Sequence, residues 1–100
     1  MQRMTYRFDS EVWLYPGNAA WHFATVPQEV SEEIKNMHGH MSRGFGSIRV
    51  TVTIGVTTWQ TSIFPDKKSG TYLLPLKAEV RKLEGLSVGD DITLNLEIPL

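Results

Sequence analysis

The chain has 100 residues, 41% of them hydrophobic and 21% charged, with no cysteine and a formal net charge of -1. Those figures exclude a disordered chain, a disulfide framework, thiolate chemistry and any global electrostatic pull toward nucleic acid or anionic lipid. The length fits a single domain, residues 1–100, and no stretch approaches the roughly 20 apolar residues of a membrane helix.

The opening Met1-Gln2-Arg3-Met4-Thr5 lacks the apolar core of a secretory signal, so a cytoplasmic address is expected. From Tyr6 to Leu14 the side chains alternate. Tyr6, Phe8, Ser10, Val12 and Leu14 fall on one face, and Arg7, Asp9, Glu11 and Trp13 on the other, which predicts a strand. Tyr15-Pro16-Gly17-Asn18 has turn chemistry, and a second strand is expected over Trp21 to Val26. Pro27 then sits where a first helical residue belongs, and Val30, Ile34 and Met37 recur at helical spacing up to Gly39. Glu29, Glu32 and Glu33 near the start of this helix and Lys35 toward its end suit the helix dipole.

Ser47 to Ile54 alternates most cleanly: Ile48, Val50, Val52 and Ile54 face one way, Arg49, Thr51 and Thr53 the other. Gly55 breaks the run and Thr57 to Phe64 resumes it, predicting a hairpin. After the polar loop Pro65 to Gly70 and a short strand at Thr71 to Leu74, Pro75 opens a second helix, with Val80 and Leu83 inward and a stop at Gly85. Gly89-Asp90-Asp91 turns the chain into a last strand in which Ile92, Leu94, Leu96 and Ile98 alternate with polar residues.

Each helix thus follows a strand through a proline, with Thr25-Val26-Pro27 corresponding to Leu73-Leu74-Pro75. This pattern predicts an internal repeat, with halves at about 1–46 and 47–100. A half with a few strands and one short helix cannot cover both faces of its sheet, so two halves closing on each other predict a small mostly-β barrel with two short helices.

The run from Glu79 through Gly85-Leu86 and Gly89-Asp90-Asp91 to Leu94 resembles the half-barrel of the AbrB and MazE swapped-hairpin proteins. A resemblance over nearly the whole chain is carried by Arg43-Gly44-Phe45-Gly46, Thr53-Ile54-Gly55, Trp59 through Pro65, Leu74-Pro75-Leu76-Lys77 and Val80-Arg81. In these motifs the chain is similar to the bacterial domain of unknown function 1905 family. That resemblance implies a closed double-split β-barrel built from two related halves, and an association with bacteriocin-protection and YdeI/OmpD-associated proteins.

Candidate chemistry is sparse. Arg43-Gly44-Phe45-Gly46 places an arginine beside flexible backbone amides, an arrangement suited to a carboxylate or phosphate; in the plainer reading the glycines supply turn angles and Phe45 caps the core. Trp59 and Thr61 share a strand face and, with Arg43 and Lys77, compose an apolar wall with convergent polar groups, the usual make-up of a ligand pocket. The alternative is that Trp59 simply fills the barrel. His38 and His40 between Met37 and Met41 are weak metal candidates without a third donor, more in keeping with a solvated loop.

No serine sits in a nucleophile elbow, no His and carboxylate pair is suggested by spacing, and Asp90-Asp91 reads as turn chemistry. No catalytic residue and no cofactor is expected. Lys67, Lys68, Lys77, Arg81 and Lys82 form the one basic cluster, set against a near-neutral chain and an acidic first helix, so the sequence disfavours nucleic acid as partner. The expected function is a non-catalytic binding module for a small anionic or amphipathic ligand or a peptide or protein partner, through Arg43, Phe45, Trp59, Thr61, Lys77 and Arg81. The alternative is an AbrB- or MazE-like DNA-binding or antitoxin-type regulator. With both barrel halves in one chain, a monomer or weak dimer is expected.

Overall fold

A computed structural model describes residues 2–17 and 21–99. Six strands run in chain order with two helices: β1 Arg3–Leu14, β2 His22–Thr25, α1 Gln28–His38, β3 Ile48–Ile54, β4 Thr57–Asp66, β5 Thr71–Pro75, α2 Ala78–Glu84 and β6 Asp91–Pro99. The strands close into an antiparallel barrel in the order β1-β2-β5-β4-β3-β6. Asn18, part of the expected first turn, lies outside the described residues. On either side of it, Tyr15 N donates to Trp21 O at 2.9 Å.

The period-two patterns build the core. Tyr6, Phe8 and Val12 of β1, the four alternating residues of β3, and Ile92, Leu94, Leu96 and Ile98 of β6 are all buried inward. Each fully buried aliphatic side chain among them contributes about 2 kcal/mol. Trp59 and Ile63 of β4 complete the filling with Leu74 of β5 and Ala24 of β2.

The registers follow a two-fold relation. Phe23 pairs with Pro75 and Thr25 with Leu73 about the central Ala24–Leu74 pair, so β2 and β5 exchange places. Beyond them Val26 N donates to Tyr72 O and Leu76 N to His22 O, each at 2.9 Å. Both helices start alike, because Ser31 Oγ donates to Val26 O and Arg81 Nε to Leu76 O, each at 3.0 Å. Long strands β1 and β4 are equivalent too: β1 pairs with β6 and then, at its end, with β2, while β4 pairs with β3 and then with β5. The relation therefore matches β3 with β6 and divides the chain at the Gly55–Val56 turn, whereas the sequence reading divided it at 46/47 and so assigned β3 to the second half.

Four local expectations are corrected. Pro27 is the cap of α1, with extended ψ of 151°, and helical geometry begins at Gln28. Pro75 stays in β5 and Lys77 caps α2, so Val26-Pro27 corresponds to Leu76-Lys77 instead of Leu74-Pro75. Met37 is 53% exposed and Leu83 64% exposed. In α1 the buried residues are Ser31, Ile34 and His38, and in α2 Val80 alone, because each short helix turns a narrow stripe toward the barrel. No helix among the described residues is long and apolar enough to cross a membrane.

Candidate functional site

The strand that carries Trp59 and Thr61 has an open side. From Thr57 to Ile63, β4 is paired with β3, but β5 joins it only over Phe64–Asp66. Chain direction explains the gap, since β5 leaves β4 after Leu73 to pair with β2 and then rises through Leu76 and Lys77 into α2. The two edges diverge around a cleft of about 250 Å³ lined by Trp21, His22, Trp59, Gln60, Thr61, Pro75, Leu76 and Lys77.

Each wall has a local cause. Trp59 is 9% exposed and belongs to the core, and it also lines the cleft. Trp21, 55% exposed, closes the opposite side from the start of β2 and rests on Phe23 with ring centroids 5.9 Å apart. Lys77 stands exposed at the rim, on the turn that Arg81 fixes by its bond to the Leu76 carbonyl. Among the described residues no carboxylate lines the cleft.

Under the two-fold relation the counterpart of this cleft lies between β1 and β2, and it is sealed. Ser10 Oγ donates to Thr25 O at 2.8 Å, and Trp13 Nε1 donates to Thr25 Oγ1 at 2.9 Å. Thr61 and Pro75 occupy the equivalent places in the open cleft, and proline has no hydroxyl to take the part of Thr25 Oγ1.

Of the six residues expected at the site, Trp59, Thr61 and Lys77 are brought together. Arg81 lies behind them as a support, its Nε committed to Leu76 O. Arg43 and Phe45 do not line the cleft. They sit on the loop before β3, where Gly46 packs near Pro65 at the far end of β4. Phe45 does not cap the core: it is 95% exposed with a left-handed φ of 62°. Trp21 and His22 were missed, because only the pairing of β2 with β5 brings the start of β2 beside β4, and Gln60 because alternation sets it on the strand face opposite Trp59 and Thr61.

His38 is not on a solvated loop. It ends α1 fully buried, with Nε2 3.2 Å from Tyr6 Oη, while His40 is exposed. No group of three His, Asp or Glu suited to a metal ion occurs among the described residues. Asp90 is used structurally, its carboxylate accepting Ser87 N at 2.8 Å in the turn before β6.

Fold and cleft together define a small closed antiparallel barrel with a side-wall opening lined by aromatics and a lysine. The chain belongs to the domain of unknown function family DUF1905, whose family model matches residues 8–96. No curated protein matches it.

Proposed function

We propose that this domain is a non-catalytic binding module and that the cleft between β4 and the β2–β5 pair is its binding site, taking a small amphipathic carboxylate or part of a peptide. The observation that carries the reading is the convergence of Trp21, Trp59 and Lys77 on one opening that holds no carboxylate among the described residues. Apolar walls with few oriented polar groups suit a ligand with an apolar body and an anionic end. Gln60 and Thr61 add neutral donors and acceptors at the floor and rim. This reading is favoured over a DNA-binding regulator because the basic residues do not make one surface. Lys67 and Lys68 lie on the β4–β5 turn, Lys77 on the cleft, and Arg81 is bonded to a backbone carbonyl.

The experiment is a panel of N-acetylated amino acids, from acetylglycine to acetyltryptophan, followed by tryptophan fluorescence and melting temperature. Bound ligand raises the melting temperature in proportion to its concentration over Kd. The reading expects a rise for the large apolar members that Lys77→Glu abolishes. No shift with any member, or shifts that Lys77→Glu leaves intact, would count against it.

A further inference from the structure

We propose that the partner is an extended peptide, which adds as a strand to the open edge of β4, seats one apolar side chain between Trp21 and Trp59 and presents a carboxylate to Lys77. The proposal rests on the reading of the cleft as a binding site and narrows it to one class of partner.

Three observations carry it. First, among the described residues the side of β4 turned away from β3 has no strand partner from Thr57 to Ile63. Backbone N–H and C=O groups along such an edge are a template for another chain, and proteins normally blunt or cover them. The related stretch of β1 is covered in that way: Ser10 bonds to Thr25 O, and α1 reaches far enough to place His38 on Tyr6. Helix α2 reaches the start of β4, where the Glu84 carboxylate meets the Thr57 hydroxyl at 2.6 Å, so the part of the edge left open is the stretch at the cleft, Trp59 to Thr61.

Second, the opposite wall has no backbone N–H to spare at Pro75 or Leu76. Pro75 has none, and the Leu76 N–H is already given to His22 O. Third, the cleft holds about 250 Å³, the room of one large side chain, so a longer ligand has to continue along the surface. The direction open to it is the β4 edge. In strand addition the main chain supplies affinity and alternate side chains supply specificity, which matches one pocket beside one edge. The sign of the charge follows from Lys77 at the rim and the absence of carboxylates among the lining residues.

The test is selection from a displayed library of random heptapeptides against the folded domain, followed by N-methylation of each amide of an enriched peptide in turn. Added-strand binding predicts a loss of about tenfold at alternate positions and little change at those between, the cost of one buried hydrogen bond. Enriched sequences should pair a large apolar residue with a nearby Asp or Glu, and Lys77→Glu should weaken them by about tenfold or more. If peptides bind at the cleft but no N-methyl group matters, or no peptide is enriched while acetylated amino acids still bind, the added strand is wrong and the cleft stands. If enriched peptides ignore Lys77→Glu and leave tryptophan fluorescence unchanged, both fall together.

Discussion

Tyr6 and His38 meet in the interior, phenol oxygen to imidazole Nε2 at 3.2 Å and rings edge to face, and the other imidazole nitrogen, Nδ1, has no partner among the described residues. An orphaned buried polar atom costs about 1–3 kcal/mol, so this contact fastens α1 over β1 at a local expense. Burial and then the charge of Glu33 push the Tyr6 phenol up.

That arrangement makes stability depend on pH. Burial first, then the neighbouring His40, push the His38 imidazole below its ordinary range, and Glu33 opposes them. Unfolded, the ring titrates near pH 6.5, so between that value and the lower folded value the unfolded chain binds more protons. Stability from this group is therefore complete above about pH 6.5 and declines as the pH falls through that window. Melting temperatures from pH 7.5 to 5 should show this decline, and His38→Leu should flatten it whatever its effect at neutral pH. An unchanged slope in the variant would assign the acid sensitivity to other groups.

At the Gly55 turn the packing leaves no room for a side chain. Its φ is 59°, and a Cβ there would run into the Glu84 carboxylate that holds Thr57. Gly55→Ala should cost about 1–2 kcal/mol from backbone strain alone. Combined with Glu84→Ala the loss should be less than additive, because the overlap disappears with the carboxylate. Urea denaturation of the two single variants and the double variant measures the coupling.

At Phe45 the reverse change is favourable. A phenylalanine at φ 62° with its ring in water is strained without packing to offset it. Phe45→Asn, which tolerates this conformation, should raise stability by about 0.5–1 kcal/mol and leave the binding of acetylated amino acids as it was. A loss of stability would mean that the ring has a packing role.

Ser10→Ala removes the seal on the β1 side, and the lost hydrogen bond should cost about 1 kcal/mol. Hydrogen exchange should quicken at Thr25 and along the middle of β1 more than along β4. Equal changes on both sides would contradict the contrast between a sealed and an open split.

Much of this fold was legible in the sequence because alternation is a strong signal: the inward faces of β1, β3 and β6 follow directly from Tyr6-Phe8, Ile48 to Ile54 and Ile92 to Ile98. The helices were harder. Spacing alone could not choose between Met37 and His38, and the bond to Tyr6 decided for the histidine. The position of Pro75 misled because a strand at a diverging edge can carry proline where no N–H is required, so the residue opened no helix. Three of the eight residues that line the cleft, Trp59, Thr61 and Lys77, were readable, and they lie on or just after strands near the Trp59 motif. Trp21 and His22 reach it only through the β2–β5 pairing, a long-range fact with no local trace.

The most direct measurement of the central claim is an amide and indole NMR titration of the labelled domain with acetyltryptophan or the tightest acetylated amino acid. The largest shifts are predicted at the Trp21 and Trp59 indoles and at the amides of Gln60, Thr61 and Lys77, with the Arg43 to Gly46 loop unmoved. Shifts centred on Phe45 and Arg43, with both indoles still, would contradict the assignment of the cleft as the binding site.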